Sequence, residues 1–273
     1  MAKAAKKIDN KSGRIRVGVG GWTYEPWRGT FFPKGLPHAR ELEHASGRLT
    51  SIEINGTFYR TQTPASFAKW RDETPDDFVF AVKAPRYVVQ KRELASTAES
   101  ISRFVESGLS ELKAKLGPIL WQFAPTKKFM SEDFAAFLDL LPREIGGRPV
   151  RHALEVRHET FLCAEFADLA RKRGAAIVTA CDSKYPEIAD LTADFAYLRV
   201  MGATDKAKLG YAPKALDLWA ERAKALAAGG RLEGAPAVST THDARARDVF
   251  FYFISGFKER NPAAAEALLE RLR

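Results

Sequence analysis

The chain has 273 residues, 45% of them hydrophobic and 28% charged, a composition that excludes a disordered or fibrous protein. Its 43 Lys and Arg against 34 Asp and Glu give a net charge of +9, which excludes an acidic solvating protein and keeps anionic partners, nucleic acid among them, in view. Length alone favours two domains, but one barrel of about 250 residues uses the same length.

From the N-terminus, residues 1–13 carry Lys3, Lys6, Lys7 and Lys11 against Asp9, so three of the nine net charges lie there with almost no large apolar side chain. A disordered basic tail over 1–13 is expected, followed by one domain over 14–273. No apolar stretch of about 7–15 residues follows the basic start, as a secretory signal requires. No run approaches the roughly 18 apolar residues of a membrane span. The expectation is therefore a cytoplasmic protein with no membrane partner. Cys163, in a stretch with helical periodicity, and Cys181, in an apolar strand-like run, cannot build a disulfide framework and read as free thiols. No Cys or His spacing suggests structural zinc.

Short apolar, β-branched or aromatic runs then recur at 15–21, 51–58, 78–83, 119–123, 151–157, 175–182, 195–201 and 248–254. Stretches of helical period separate most of them, at 64–73, 95–116, 131–141, 161–173 and 213–228, with a final helix at 262–272. Pro64 and Pro213 suit first-turn positions, and Ser131 followed by Asp133 offers an N-cap with a first-turn acid. Alternating strands and helices imply a parallel sheet with crossover helices, and eight strands without a boundary linker favour a single (β/α)8 TIM-type barrel. Two crossovers look irregular: a full helix is doubtful after the sixth strand, and an excursion is expected before the eighth. An open doubly wound sheet is the rival, but G-x-G-x-x-G is absent after the first strand.

In a barrel, chemistry gathers at the C-terminal ends of the strands. Strand two alternates Ile52 and Ile54 with Ser51, Glu53 and Asn55; strand five alternates Leu154 and Val156 with Glu155 and Arg157. With the apolar face toward helices, Glu53, Asn55, Glu155 and Arg157 point into the barrel mouth. Lys83 ends strand three, Gln122 lies on strand four, Asp182 ends strand six and Arg199 lies on strand seven; the inward parity of strand six is ambiguous. Such charges must pair or face water, so they form either a buried ion-pair network that plugs the barrel or a pocket that tunes proton affinities and clamps an anion. The loop after strand one, Gly20 to Pro33, carries Trp22, Tyr24, Trp27, Phe31 and Phe32. It reads either as a lid that could stack a sugar-like ligand, with Trp22 and Trp27 as contacts and Tyr59 on the same rim, or as a satellite hydrophobic cluster fixing a long loop.

These residues together resemble the YecE-like family, a domain of unknown function, from about residue 15 to the C-terminus. The resemblance rests on G-W-x-Y-x-x-W-x-G-x-F-x-P from Gly21 to Pro33, E-I-N-x-T-F-Y-R from Glu53 to Arg60 and F-A-V-K-A-P-R from Phe80 to Arg86. Leu116 to Gln122, Glu155-x-Arg157-His158 and Tyr197-x-Arg199 extend it. It implies a TIM-type barrel and no established reaction. Three positions depart from the family pattern: Met201 where a His is common, Phe161 where a Trp is common, and the nearly apolar end of the last strand at Phe253-Ile254-Ser255-Gly256.

For function, only His158 among the five histidines lies at an expected strand end, with His152 on the far face, so no multi-His metal cluster is available and neither metal nor cofactor is expected. No G-x-S-x-G occurs, and Cys181 has no evident base. Lys83 could form a Schiff base if desolvated, but neighbouring carboxylates should keep it protonated, which favours anion binding. The reading is a metal-independent enzyme acting on a small anionic or hydroxylated, sugar-like ligand. Glu53 or Glu155 is then the acid/base; Lys83, Arg157 and Arg199 clamp the anion; Asn55, Gln122, His158, Asp182, Trp22, Trp27 and Tyr59 bind substrate. Glu155→Gln is expected to abolish turnover and leave the fold intact. The alternative is a nucleic-acid-binding protein, with or without nuclease-like activity, using Lys91, Arg92, Lys127, Lys128 and the tail on phosphates and the aromatic loop on bases.

Overall fold

Val17 and Val19 pack outward in the main hydrophobic layer while Gly18 and Gly20 face in, and this two-residue period gives each long strand a helix-facing and an interior side. In a computed structural model, which describes residues 12–273, eight such strands pair in parallel around a closed barrel. They are β1 (Ile15–Gly20), β2 (Ser51–Ile54), β3 (Val79–Lys83), β4 (Leu116–Gln122), β7 (His152–Glu155), β8 (Ala176–Cys181), β9 (Phe195–Val200) and β10 (Asp248–Phe253). Each pairs with its neighbours in chain order, and β10 closes onto β1, which rules out the open-sheet alternative. Between β4 and β7, β5 (Glu144–Ile145) and β6 (Arg148–Pro149) form a small antiparallel ribbon too short to leave a sequence signal.

The crossover helices are α1 (Glu41–Arg48), α2 (Gly56–Tyr59), α3 (Pro64–Asp72), α4 (Arg86–Val89), α5 (Ala98–Glu106), α6 (Ser131–Leu140), α7 (Ala164–Lys172), α8 (Pro213–Ala227) and α9 (Asn261–Leu272). Pro64 and Pro213 open α3 and α8 at the first turn, where the missing N–H costs nothing, and Thr63 Oγ1 accepts from Ser66 N at 3.2 Å. Both irregular crossovers are present: residues 182–194 contain no helix, and residues 228–247 run as an irregular excursion before β10.

Two layers of core result. Outward residues such as Ile52, Ile54, Leu154 and Phe251 pack under the helices, while Ala81, Leu120, Ala153, Val178, Phe250 and Tyr252 fill the barrel interior. β1 and β2 approach so closely that a Cβ on Gly18 would sit 1.9 Å from the Ser51 carbonyl oxygen, so only glycine fits.

Several local expectations are corrected. The strand expected over 51–58 stops at Ile54, and α2 takes the chain up at Gly56. The helix expected over 95–116 breaks at Gly108, whose φ of 117° is left-handed, into α5 and a 3-10 stretch over Leu109–Lys115. Ser131 is the first residue of α6 and bonds Glu165 rather than capping, while Asp133 lies in the first turn as expected and accepts from Ala95 N at 2.8 Å. Cys163 precedes α7 rather than lying within it. Of the tail expected over 1–13, residues 1–11 lie outside the described residues, and Gly13 is held by donating its N–H to the Ala227 carbonyl at 3.0 Å.

Candidate functional site

The inward parity of β2, β3, β4, β7 and β9 brings Glu53, Lys83, Gln122, Glu155 and Arg199 into one buried cluster under the C-terminal mouth. Arg199 lies at its centre. Its Nε and Nη2 donate to the two oxygens of Glu53, each at 3.0 Å, while Nη1 donates to Glu155. Tyr197 OH completes Glu53 at 2.7 Å; Gln122 Nε2 at 2.9 Å and Arg157 Nε at 2.7 Å complete Glu155. Both carboxylates are 0% exposed. Charge-assisted bonds of this kind offset the cost of burying the ions.

The electrostatics follow from that packing. Burial pushes the Glu155 carboxyl up, but the Arg199 and Arg157 guanidiniums and the Gln122 bond outweigh it and hold the group at about 2. Arg199 loses from burial and gains more from Glu155 and Glu53, so its proton is held above the ordinary arginine range. Lys83, 7% exposed, goes the other way: burial, then Arg199, bring its ammonium down to about 8 against the opposing pull of Glu53 and Glu155. The neighbouring carboxylates thus do not fully hold Lys83 protonated, because the guanidiniums already occupy them. Among the described residues no acid lies within ion-pair distance of Lys83 Nζ, which rests 4.2 Å above the Phe58 ring.

Above this layer opens a cavity of about 390 Å³. Its floor is Lys83, Gln122, Arg157 and Arg199, and its walls include Trp22, Tyr24, Asn55, Tyr59, Ser255, Lys258 and Asn261. Glu53 and Glu155 do not line it; they lie beneath the cations. Gly20 keeps the wall open at Asn55, since a Cβ there would come within 2.6 Å of Asn55 Nδ2. The Oδ1 atoms of Asn55 and Asn261 are buried in this wall without a hydrogen-bond partner. At neutral pH the cavity faces four cations, Lys83, Arg157, Arg199 and Lys258, backed by two carboxylates, so its field is positive.

Residues 16–273 match the family described as "Protein of unknown function DUF72". The chain belongs to the DUF72 family. Among its relatives, UPF0759 protein YecE of Escherichia coli (strain K12) is 26% identical over 163 residues, which cover 59% of this chain and 54% of YecE, so the chain spans about half the length of that curated relative. UPF0759 protein YunF of Bacillus subtilis (strain 168) is 28% identical over 157 residues, 56% of this chain and 54% of YunF. The crystal structure of a DUF72 family protein (TM1631) from Thermotoga maritima MSB8 superposes with a TM-score of 0.68 at 23% identity, covering 94% of this chain and 97% of that one, a likeness of fold.

In this DUF72 chain three residues expected at the site lie elsewhere. Trp27 is fully buried: its Nε1 donates to the Lys258 carbonyl at 2.9 Å, and its ring packs edge-on against Tyr24 and Phe31. The aromatic loop is therefore a fixed cluster through Trp27, and only Trp22, edge-on to Trp70 at 5.2 Å, and Tyr24 reach the cavity. His158 does not line the cavity; its Nδ1 accepts from Thr160 N at 3.2 Å and caps a short turn. Asp182, at a left-handed φ of 53°, turns off β8 onto the outer rim, where burial raises its carboxyl and Arg222 opposes the rise. Met201 donates its N–H to Cys181 O at 3.0 Å. His152, at the far face, is a satisfied core residue between Trp121 Nε1 and the Pro142 carbonyl, and burial brings it down to about 4.

Sequence reasoning missed Lys258, Ser255 and Asn261. They follow a strand whose end is apolar, and the general rule that loops after barrel strands build sites is the signal that points to them. Lys258 Nζ lies 4.2 Å over the Tyr24 ring, and burial lowers its ammonium. Lys91, Arg92, Lys127 and Lys128 border a separate, larger groove of about 940 Å³ beside the loops after β3 and β4. Glu93, Glu132 and Asp133 share it, and Lys127 Nζ is spent on the Arg92 carbonyl at 2.7 Å and Asp133 at 3.2 Å. That groove sets four cations against three acids, whereas the mouth lines its cavity with four cations and no acid. Among the described residues, no group of three or more His, Cys, Asp or Glu is arranged to hold a metal, and no helix is long and apolar enough to cross a membrane.

Proposed function

We propose that this is a cytoplasmic enzyme acting on a small anionic or hydroxylated substrate in the barrel-mouth cavity. One observation carries the reading: the cavity floor presents Lys83, Arg157 and Arg199 while their counter-carboxylates lie fully buried beneath them. Arg157 and Lys258 supply charge for a carboxylate or phosphate; Gln122 donates or accepts beside it; the side-chain amides of Asn55 and Asn261 in the wall serve substrate hydroxyls. Lys83, at about 8, is the group suited to exchanging a proton near neutral pH. Glu155, held at about 2, is a weak base, and Glu53 has both oxygens bonded by Arg199 and Tyr197 with no exposed surface, so the two act here as the fixed counter-charges that position Arg199 and Arg157.

Calorimetric titration with pyruvate and with inorganic phosphate tests this. Saturable binding at one site per chain is expected, weakened about tenfold or more in Arg157→Met, since a charge-assisted contact contributes about 1.5–3 kcal/mol. No saturable binding, or binding unchanged in Arg157→Met, contradicts the reading. Tighter, steeply salt-dependent binding of a single-stranded oligonucleotide that persists in Arg157→Met and falls in Lys128→Ala points to the nucleic-acid alternative.

Lys83→Met separates function from stability. Because Lys83 sits at about 8 when folded and at 10.5 when free, the unfolded chain binds more protons between those values. Stability therefore rises with pH across that window, and below about pH 8 the buried charge costs on the order of 3 kcal/mol. Lys83→Met is expected to raise stability at neutral pH by about 1–3 kcal/mol and remove the rise between pH 8 and 10.5, while weakening anion binding. Urea denaturation at several pH values checks both parts. Tyr59, 67% exposed on the rim, gives the complementary case: Tyr59→Ala should change stability by no more than about 0.5 kcal/mol while weakening binding of a ligand that reaches the rim.

A further inference from the structure

We infer that Lys83 is a nucleophile that forms an imine with a ketone or aldehyde bearing a carboxylate or phosphate. The inference rests on the anion-binding reading of the mouth and names its substrate class. A lysine serving only as a clamp gains by pairing with an acid or by reaching into water. Lys83 does neither: it is only 7% exposed, both nearby carboxylates are taken by Arg199 and Arg157, and the one group that supports its ammonium is the Phe58 ring, a cation–π contact weaker than an ion pair. Yet it lines the cavity floor, so a bound small molecule meets its Nζ. Arg157 and Lys258, lining the same cavity, are placed to hold an anionic group next to a reacting carbonyl. Asn55 and Asn261 bring side-chain amides to the cavity wall, polar groups for hydroxyls that include the one formed when an amine adds to a carbonyl.

The chemistry balances without a further reactant. The neutral amine adds to the carbonyl carbon, and a proton passes to the carbonyl oxygen to give the carbinolamine. Loss of the hydroxyl as water, with one more proton, leaves a protonated imine. That imine withdraws electrons from the adjacent carbon, which is the purpose of such adducts in proton abstraction or carbon–carbon cleavage. The groups facing Lys83 loosen its proton without removing it: burial and the Arg199 and Arg157 charges outweigh Glu53 and Glu155 and bring the ammonium to about 8, so roughly a tenth is free amine near pH 7.

Trapping tests the inference. The protein is incubated near neutral pH with pyruvate, or with dihydroxyacetone phosphate, and sodium cyanoborohydride, whose hydride reduces the imine to a stable secondary amine; digestion and mass spectrometry then locate it. About pH 7, a group at about 8 is roughly a hundredfold or more richer in free amine than an ordinary lysine. Reduced adduct on Lys83 is therefore expected to exceed that on any other lysine by about tenfold or more, allowing for its lower basicity. Inorganic phosphate should suppress it. The probe that reacts faster names the anion, carboxylate or phosphate. Modification of other lysines with Lys83 unmodified, or Lys83 modified no faster than they are, overturns the inference. If calorimetry shows pyruvate bound at the mouth and no Lys83 adduct forms, the nucleophile is refuted and the anion site stands; if neither is seen, both fail.

Discussion

Replacing Arg199 by Met is expected to destabilise the protein by about 3–5 kcal/mol, the usual cost of removing one partner from a buried ion cluster. The guanidinium makes three bonds to Glu53 and Glu155, and both carboxylates are 0% exposed. Met matches much of its volume but leaves Glu53 with Tyr197 alone, and Glu155 with Gln122 and Arg157. The pH dependence should reveal the same cluster. Glu155 has a folded value of about 2 against 4.5 when free, so the unfolded chain binds more protons as pH falls. Its stabilisation is complete above about 4.5, is lost as pH falls toward 2, and amounts to roughly 3 kcal/mol. Glu155→Gln should flatten this acid limb and cost a similar amount at neutral pH, so the variant that the sequence alone marks as silent for the fold is not silent. Urea midpoints for Arg199→Met and Glu155→Gln within about 1 kcal/mol of the parent contradict the buried-cluster account.

Trp27→Ala is the second large effect, also about 3–5 kcal/mol. Its indole is fully buried, packs against Tyr24, Phe31 and Phe32, and bonds the Lys258 carbonyl. The contact ties the loop after β1 to the loop after β10, two walls of the same cavity. Truncation leaves a void, removes the bond to a Lys258 carbonyl that then keeps only the Asn261 N–H, and frees Lys258 from its place over Tyr24. Trp27→Phe keeps much of the packing and loses the bond, so it should cost less. Thermal melts distinguish the cluster from a lid that closes independently: Trp27→Ala within about 1 kcal/mol of the parent means that the loop is not anchored there.

The barrel was legible because its strands announce themselves. Ile52/Ile54 and Leu154/Val156 alternate against Glu53/Asn55 and Glu155/Arg157, and a strand with one apolar face has one way in. Family motifs and uneven spacing carried the closure and both irregular crossovers. What parity cannot express is depth. It aims Glu53, Glu155, Lys83 and Arg199 at one interior, but which tips face the cavity depends on who pairs with whom: the guanidiniums cover the carboxylates and leave Lys83 alone. Asp182 escaped the pattern because one left-handed residue after β8 turns it outward. Trp22 and Trp27 carry the same sequence signal, and only packing separates a wall from a pillar. Lys258 and Asn261 were hidden behind an apolar strand end, and Gly108 ends a helical pattern that periodicity alone runs through.

The central claim is that the positive mouth over the buried carboxylates binds a small anion. A crystal structure of the protein saturated with pyruvate tests it most directly. The account predicts pyruvate in the cavity between Trp22, Tyr59 and Asn261, with its carboxylate on Arg157 and its carbonyl carbon at Lys83 Nζ. Pyruvate found only in the groove of Lys91 and Lys128, with the mouth free of it at saturation, would contradict the account.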